Sequence, residues 1–290
     1  MNVLVTGASG FIGRHVVAQL ARRGDTVFAL SRRAAPEGGA VTRITADLND
    51  ANAMGEAVAR AKPDLAIHLA WYVEPGKWMT DTERNAESME ASARLIDHLL
   101  ADGCERIVLA GSGVEVVQPE SPYAAAKGAL HRVAEGLAGG GAGIVCAHVY
   151  GVFGPGEDER RFVPTVVNAL LRRAPVDVTD GRQVRDTLYV EDVASALVAI
   201  GSSEVMGTVD IASGAPTTLR ELALALAAEA GGAELINFGA RPYSDNELTR
   251  YVGDPDGLRA IGWAPRFDLG SAAGATVRWW RVRAEAGATR

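Results

Sequence analysis

Cysteine is scarce in this chain. Cys104 and Cys146 are the only two among 290 residues, and neither stands at metal-ligand spacing, so both are expected as reduced thiols at the edges of apolar strands. Long apolar runs are also missing. Each is interrupted well before the ~18 residues that a membrane-spanning helix needs, so no span is expected. Positive charge is in deficit: 29 Lys and Arg against 36 Asp and Glu give a net charge of −7. That balance argues against a partner built on a phosphate backbone, so no nucleic-acid partner is expected. A strand pattern begins directly after Met1, which leaves no room for a signal peptide, and a cytoplasmic location is expected. Neither an internal repeat nor a low-complexity tract is present. What the chain does have is hydrophobic residues, at 48%, and 33 glycines, enough for a large core in one or two domains.

The glycines matter most near the start. Thr6-Gly7-Ala8-Ser9-Gly10-Phe11-Ile12-Gly13 follows the apolar run Val3-Leu4-Val5 and opens a helical pattern that reaches Arg23. A strand, a glycine turn and a helix N-terminus together make a pyrophosphate site. The first helical amides lack internal partners, and the helix dipole places partial positive charge there. Glycine lets the backbone turn sharply and approach the phosphates. The spacing is GxxGxxG, a variant of the GxGxxG fingerprint.

Strands are expected at 2–6, 26–31, 42–45, 64–69, 106–111 and 143–149, and helices at 11–23, 50–61, 80–101 and 123–138. This alternation implies parallel strands with right-handed crossovers, hence an α/β Rossmann-like doubly wound sheet. Ligands in such sheets bind beyond the carboxyl ends of the strands, where Thr6, Ser31, Asp47, His68 and Ser112 fall. After Tyr150 the pattern turns irregular: helices near 163–173, 218–230 and 270–285, strands near 176–179 and 234–238, and a strand-helix unit at 187–200. The expected organisation is a dinucleotide-binding domain over 1–150 and a smaller α/β substrate-binding lid over 151–290. Segment 187–212 is a candidate to rejoin the first domain.

Tyr123-Ala124-Ala125-Ala126-Lys127 is the second strong signal. Residues i and i+4 share a helix face, so the phenol and the ammonium enter one space. A neighbouring cation favours the phenolate and brings its proton affinity closer to the working pH. Ser112, at the end of the preceding strand, could donate to the same substrate oxygen.

With these residues the chain resembles the extended short-chain dehydrogenase/reductase family. The resemblance covers nearly the whole chain. It is carried, in order, by the glycine loop, Asp47-Leu48, His68-Leu69-Ala70, Ser112, Ser121-Pro122-Tyr123 through Lys127, and Val152-Phe153-Gly154-Pro155-Gly156. Arg185-Asp186, Val190 through Ala194 and Gly262-Trp263-Ala264-Pro265 complete the series. The resemblance implies Tyr123 as catalytic acid/base and Lys127 as its electrostatic support and a holder of the nicotinamide ribose. Ser112 would bind the reacting carbonyl oxygen. Cofactor contacts would come from Gly7, Ser9, Gly10, Phe11, Ile12, Gly13, Ser31, Arg32, Arg33, Asp47, Leu48, Leu69, Ala70 and Val149, besides Tyr123 and Lys127. Substrate contacts would come from Trp71, Ser112, Gly113, Arg185 and Asn246. Arg185 would meet the pyrophosphate, its guanidinium fork suiting phosphate oxygens; a salt bridge to an acid is its alternative. Asp192 is expected to cap a helix before Val193.

NAD-selecting sites usually end the second strand in an acid that bonds the ribose 2′-hydroxyl. Here Ser31-Arg32-Arg33 occupies that place, which favours NADP(H), with NAD(H) as alternative. The Asp-Glu pair with which family dehydratases follow the Ser is replaced by Gly113-Val114. A finer resemblance joins Phe238-Gly239-Ala240, Asp245-Asn246-Glu247 and Leu258 through Trp263 to bacterial 4-ketoreductases of NDP-6-deoxyhexoses, including those making CDP-abequose. It implies NADPH-dependent reduction of a 4-keto nucleotide sugar. An epimerase that retains NAD and a non-catalytic NADPH-binding protein remain alternatives. His148 stands where the family often has Arg, and Gly151 where it often has Asn. A homodimer through the 80–101 and 123–138 helices is implied by the family. No metal site is expected, since no His/Asp/Glu cluster stands at ligand spacing, and His131 is read as a surface or packing residue.

Overall fold

The apolar run after Met1 forms β1 (Asn2–Thr6), and the amphipathic stretch beyond the glycine loop forms α1 (Gly13–Arg23). The computed structural model describes residues 1–32, 39–138, 143–244 and 247–288. The alternation continues through β2 (Thr26–Ser31), β3 (Val41–Thr45), α2 (Ala51–Ala61), β4 (Leu65–His68) and α3 (Thr82–Ala101). Next come β5 (Arg106–Ser112), the one-turn α4 (Val114–Val117), α5 (Pro122–Ala138) and β6 (Gly143–Val149). The chain then adds β7 (Gly151–Phe153), α6 (Phe162–Leu171), β8 (Val176–Val178), β9 (Val184–Arg185) and β10 (Thr187–Tyr189). After α7 (Val190–Gly201) come β11 (Gly207–Ile211), β12 (Thr217–Thr218) and α8 (Leu219–Ala230). The final elements are β13 (Ile236–Phe238), β14 (Arg250–Tyr251), α9 (Asp256–Ala260) and α10 (Leu269–Ala288).

Two compact units divide these elements. The first comprises Met1–Val149, Val193–Ile211 and Asp256–Trp263. Its seven-stranded sheet has the order β11-β6-β5-β4-β1-β2-β3, and every pairing is parallel. This is the doubly wound, Rossmann-like sheet expected from the alternation. Chain order reverses between β1 and β4, so their carboxyl ends, Thr6 paired with His68, border the crevice where such sheets take ligands. The strands are apolar on both faces because helices cover both: Val3, Leu4 and Val5 are wholly buried, as are Ile67 and Val108. Asp50 and Asp81 accept backbone hydrogen bonds as the N-caps of α2 and α3.

The second unit comprises Tyr150–Asp192, Ala212–Pro255 and Ala264–Arg290. It holds the small sheets β10-β7, β12-β9-β14 and β13-β8. Val166, Val167 and Leu170 of α6 share one core with Leu222 and Leu226 of α8 and Val277 and Trp280 of α10. A reciprocal capping box between Thr218 and Glu221 starts α8. The buried Asp186 carboxylate accepts the backbone N–H groups of Ser213 and Gly214 at 2.7 and 3.1 Å.

Asp192 corrects one expectation. β10 ends at Tyr189 and α7 begins at Val190, so no loop residue is left to cap before Val193. The fully buried Asp192 instead accepts the backbone N–H groups of Arg266 and Phe267 at 3.1 and 3.0 Å, anchoring the approach to α10. Among the described residues, no helix is long and apolar enough to cross a membrane.

Candidate active site

The loop from Thr6 to Gly13 is shaped for close backbone approach. Gly7 has a φ of +66°, and a Cβ there would lie 2.9 Å from the Ala70 nitrogen. A Cβ on Gly13 would lie 2.2 Å from the Gly7 carbonyl oxygen, so α1 can start against the loop only with glycine. Arg14 gathers two loop carbonyls: its Nε donates to the Gly10 oxygen at 3.1 Å and its Nη2 to the Ser9 oxygen at 3.4 Å. Among the described residues no side chain caps α1, unlike α2, α3 and α8. A helix start with no side-chain cap, beside glycines that no Cβ could replace, fits the pyrophosphate of a dinucleotide. Phe11 and Ile12 are half-buried in the same turn.

Other residues expected at the cofactor sit at strand ends. Ser31 closes β2 and is buried, and Arg32 after it is exposed. Asp47 accepts the Asn49 backbone N–H at 2.9 Å in the turn after β3, and Leu48 packs on the core of the first unit. The Leu69 and Ala70 amides donate to Thr6 Oγ1 at 3.2 and 3.3 Å. The Gly113 amide donates to the Val149 carbonyl at 3.1 Å. Arg33 and Asn246 lie outside the described residues, as does Asp245.

Ser112 ends β5, while Tyr123 and Lys127 lie one turn apart in α5. All three are buried. Trp71 and Trp78 meet the Tyr123 ring edge-on, with centroids 6.3 and 4.6 Å away. Lys127 Nζ donates to the Ala110 carbonyl at 2.6 Å and lies 4.0 Å from the centroid of the Trp71 ring. Burial lowers the Lys127 pKa from 10.5 to about 8, and the charge of Glu115 opposes that shift. Trp71 was expected to border the substrate. Here its face carries the Lys127 ammonium, and its Nε1–H is held by Asn85 Oδ1 at 2.9 Å. Asn85 is wholly buried and also donates to the Trp78 and Asp81 carbonyls, both at 2.7 Å.

His68, at the end of β4, is a neutral imidazole. Thr6 Oγ1 accepts two backbone amides, so its hydroxyl donates to His68 Nδ1 at 2.7 Å. Ser92 donates its own hydroxyl to the Ser88 carbonyl at 2.6 Å and therefore accepts from His68 Nε2 at 2.8 Å. Burial and the nearby Lys127 cation push the His68 pKa down to about 3. Burial pushes the Cys104 and Cys146 thiols up to about 11 and about 12, so both stay protonated.

Glu115 belongs to the same neighbourhood. Its Oε1 accepts the Ser112 backbone N–H at 2.7 Å. Burial raises its pKa, but the adjacent His131, the Lys127 cation and the Ser112 amide outweigh burial and hold the carboxyl below its ordinary range. Its Oε2 lies 2.8 Å from His131 Nδ1 and 3.8 Å from His148 Nε2. Sequence reasoning missed this grouping and read His131 as a surface or packing residue. One signal was available: His131 follows Tyr123 and Lys127 at the same four-residue spacing, on one face of α5.

In the second unit, Arg185 pairs with Glu247, Nη2 to Oε1, at 2.8 Å. Its Nη1 donates to the Val184 carbonyl at 3.0 Å. This is the acid-paired arrangement weighed as the alternative for Arg185.

A seven-stranded parallel sheet with a glycine cradle after β1, and with Ser112, Tyr123 and Lys127 near its carboxyl edge, defines an extended short-chain dehydrogenase/reductase. More particularly, the chain belongs to the NAD dependent epimerase/dehydratase family, whose sequence profile matches residues 3–212. The UDP-glucose 4-epimerase of Mycolicibacterium smegmatis is 29% identical over 98% of this chain and 100% of its own length. CDP-abequose synthase of Salmonella typhimurium is 27% identical over 92% of this chain and 94% of its own. The crystal structure of UDP-glucose 4-epimerase from Thermus thermophilus in complex with NAD matches at a TM-score of 0.87 and 28% identity, covering 97% of this chain and 99% of that one.

Proposed function

We propose that this protein reduces the 4-keto group of a nucleotide-linked 4-keto-6-deoxyhexose, using NADPH. The observation that carries the reading is the end of β2, where buried Ser31 is followed by exposed Arg32 in place of an acid. An acid at that place bonds the 2′-hydroxyl of NAD, whereas a guanidinium suits a 2′-phosphate. A cofactor that exchanges at every turnover fits net reduction better than internal hydride return. The likeness to CDP-abequose synthase supports the same reading.

The residues fit the task. The glycine loop would hold the pyrophosphate, and Asp47 and Leu48 the adenine side. The bound nicotinamide supplies a hydride. Tyr123 gives its phenolic proton to the substrate oxygen as that oxygen becomes an alkoxide, and Ser112 donates a hydrogen bond to the same oxygen. Lys127 stabilises the phenolate left behind and holds the ribose. Arg185 would meet the substrate pyrophosphate by leaving Glu247. The reading also carries a cytoplasmic homodimer joined through α3 and α5, which light scattering would size.

The test is nucleotide oxidation by the purified protein given CDP- or dTDP-4-keto-6-deoxyglucose, with NADH in parallel. Stoichiometric NADPH oxidation with one sugar is expected. A UDP-glucose 4-epimerase activity is the second reading, favoured by the 29% identity to the mycobacterial enzyme along 98% of this chain. Tightly bound NAD in the purified protein, with the sugar isomerised and no net oxidation, would establish that reading instead. Cofactor binding with no turnover of either kind would point to a non-catalytic NADPH-binding protein.

A further inference from the structure

We propose that Glu115, His131 and His148 form a binding site for a divalent transition-metal ion, with zinc the ion whose chemistry it suits. The three ligand atoms come from α4, α5 and β6. His131 Nδ1 lies 2.8 Å from Glu115 Oε2 and 3.4 Å from His148 Nε2, while His148 Nε2 lies 3.8 Å from Glu115 Oε2. Ligands at ~2.0–2.1 Å from a tetrahedral zinc stand roughly 3.3–3.4 Å apart, and the three separations straddle that value. Two imidazoles and one carboxylate, with a fourth position left for water, are a donor set this ion takes.

The protein's own hydrogen bonds leave the cluster short of protons. His148 Nδ1 faces Asp210 Oδ1 at 3.2 Å, so a neutral His148 commits its N–H there and turns the Nε2 lone pair inward. The Glu115 side chain is only 6% exposed, and among the described residues its Oε2 has no polar neighbour within hydrogen-bond distance except His131 Nδ1, at 2.8 Å. His131 Nδ1 faces both of these acceptors, and the tautomer that carries its proton on Nε2 turns a third lone pair inward. A cation at their centre would satisfy all three.

The surrounding shell is built for such an ion. The Asp210–His148 contact is the carboxylate–histidine arrangement that orients ligating imidazoles. The Ser112 amide holds the other oxygen of Glu115 at 2.7 Å. Space for the cluster comes from β5: Gly111, His148 and Asp210 lie side by side in register. A Cβ at Gly111 would lie 2.7 Å from His148 Cδ2, 2.8 Å from His131 Cε1 and 3.0 Å from Glu115 Oε1. The ion would pin α4 to α5 and β6, and through Glu115 it would steady the segment that carries Ser112. The site does not depend on which sugar the enzyme takes.

The experiment titrates the chelator-treated full-length protein with Co2+ and reads the visible ligand-field bands of the tetrahedral ion. One equivalent is expected to produce them. His131→Gln and Glu115→Gln should abolish them while circular dichroism and cofactor binding persist. Asp210→Asn should weaken Co2+ affinity about 10- to 100-fold. Absence of bands in the wild type at saturating Co2+, or bands that persist in both folded variants, would overturn the proposal. X-ray absorption of the zinc-loaded wild type needs no variant. Two imidazoles and an oxygen shell are expected, and a sulfur-bearing shell would refute the assignment.

Discussion

The Lys127 ammonium rests 4.0 Å from the centroid of the Trp71 ring, which gives a buried cation an aromatic face in place of water. Such contacts contribute about 0.5–2 kcal/mol. Trp71→Leu is therefore expected to slow turnover roughly two- to thirty-fold by loosening the ammonium beside Tyr123, with Trp71→Phe in between. Steady-state rates for the pair of variants check this; wild-type turnover in Trp71→Leu would show that Trp71 has no part in holding Lys127.

Tyr123 is the proton donor in the proposed reduction. Positioned acid–base groups contribute about 10²–10⁴-fold, so Tyr123→Phe should lose turnover by that order. NADPH affinity should change little, because the ring, with Trp71 and Trp78 against its edges, remains. Fluorescence titration with NADPH and single-turnover kinetics separate the two effects. Substantial turnover without the phenol would remove Tyr123 from the chemistry.

Much of this was legible in sequence, and the rest was not for a physical reason. The glycine loop and Tyr123–Lys127 are contiguous patterns whose geometry follows from one turn and one helix period. The Trp71–Lys127 contact joins a loop to α5, and Asn85, buried in α3, holds that loop by accepting the Trp71 indole N–H and donating to the Trp78 carbonyl. Glu115, His131 and His148 come from three elements, and the four-residue spacing that puts His131 on the Tyr123–Lys127 face says nothing of Glu115 or His148. Their meeting depends on the register that sets Gly111 beside His148. Asp192 went wrong because an acid at a helix start reads as a cap, whereas burial turned it into an anchor for the amides of Arg266 and Phe267.

Lys127 should also make stability depend on pH. Its folded pKa of about 8 lies below the ordinary 10.5. Between those values the unfolded chain holds more protons, so stability of the cofactor-free protein rises with pH across that window. The rise amounts to roughly 3 kcal/mol at 1.36 kcal/mol per pKa unit. Below pH 8 the penalty for charging the buried amine is fully present. Lys127→Met should thus be inactive yet more stable than wild type at pH 7, the gap closing toward pH 10.5. Urea unfolding of both proteins at pH 7, 8.5 and 10 measures it, and parallel stability curves would contradict the assignment.

In the proposed substrate complex, Glu247 would compete with the pyrophosphate for Arg185, with which it pairs at 2.8 Å. Partly exposed ion pairs of this kind contribute about 0.2–1 kcal/mol, so Glu247→Gln should tighten binding of the substrate's nucleoside diphosphate by roughly 1.4- to fivefold. Calorimetric titration with CDP, dTDP and UDP reads the change and identifies the base. Unchanged or weaker affinity would leave Arg185 as a brace of the second unit alone.

The chain passes from one unit to the other more than once, and β11, built from residues after 200, completes the sheet by pairing with β6 from Gly207–Val145 to Ile211–Val149. For protein engineering this rules out treating the halves as interchangeable cassettes. A hybrid gene joined near residue 150 would take its last sheet strand, and Asp210 beside His148, from the foreign parent. Shuffling substrate preference among relatives therefore calls for paired crossovers that return residues 193–211 and 256–263 to the parent that supplies the glycine loop.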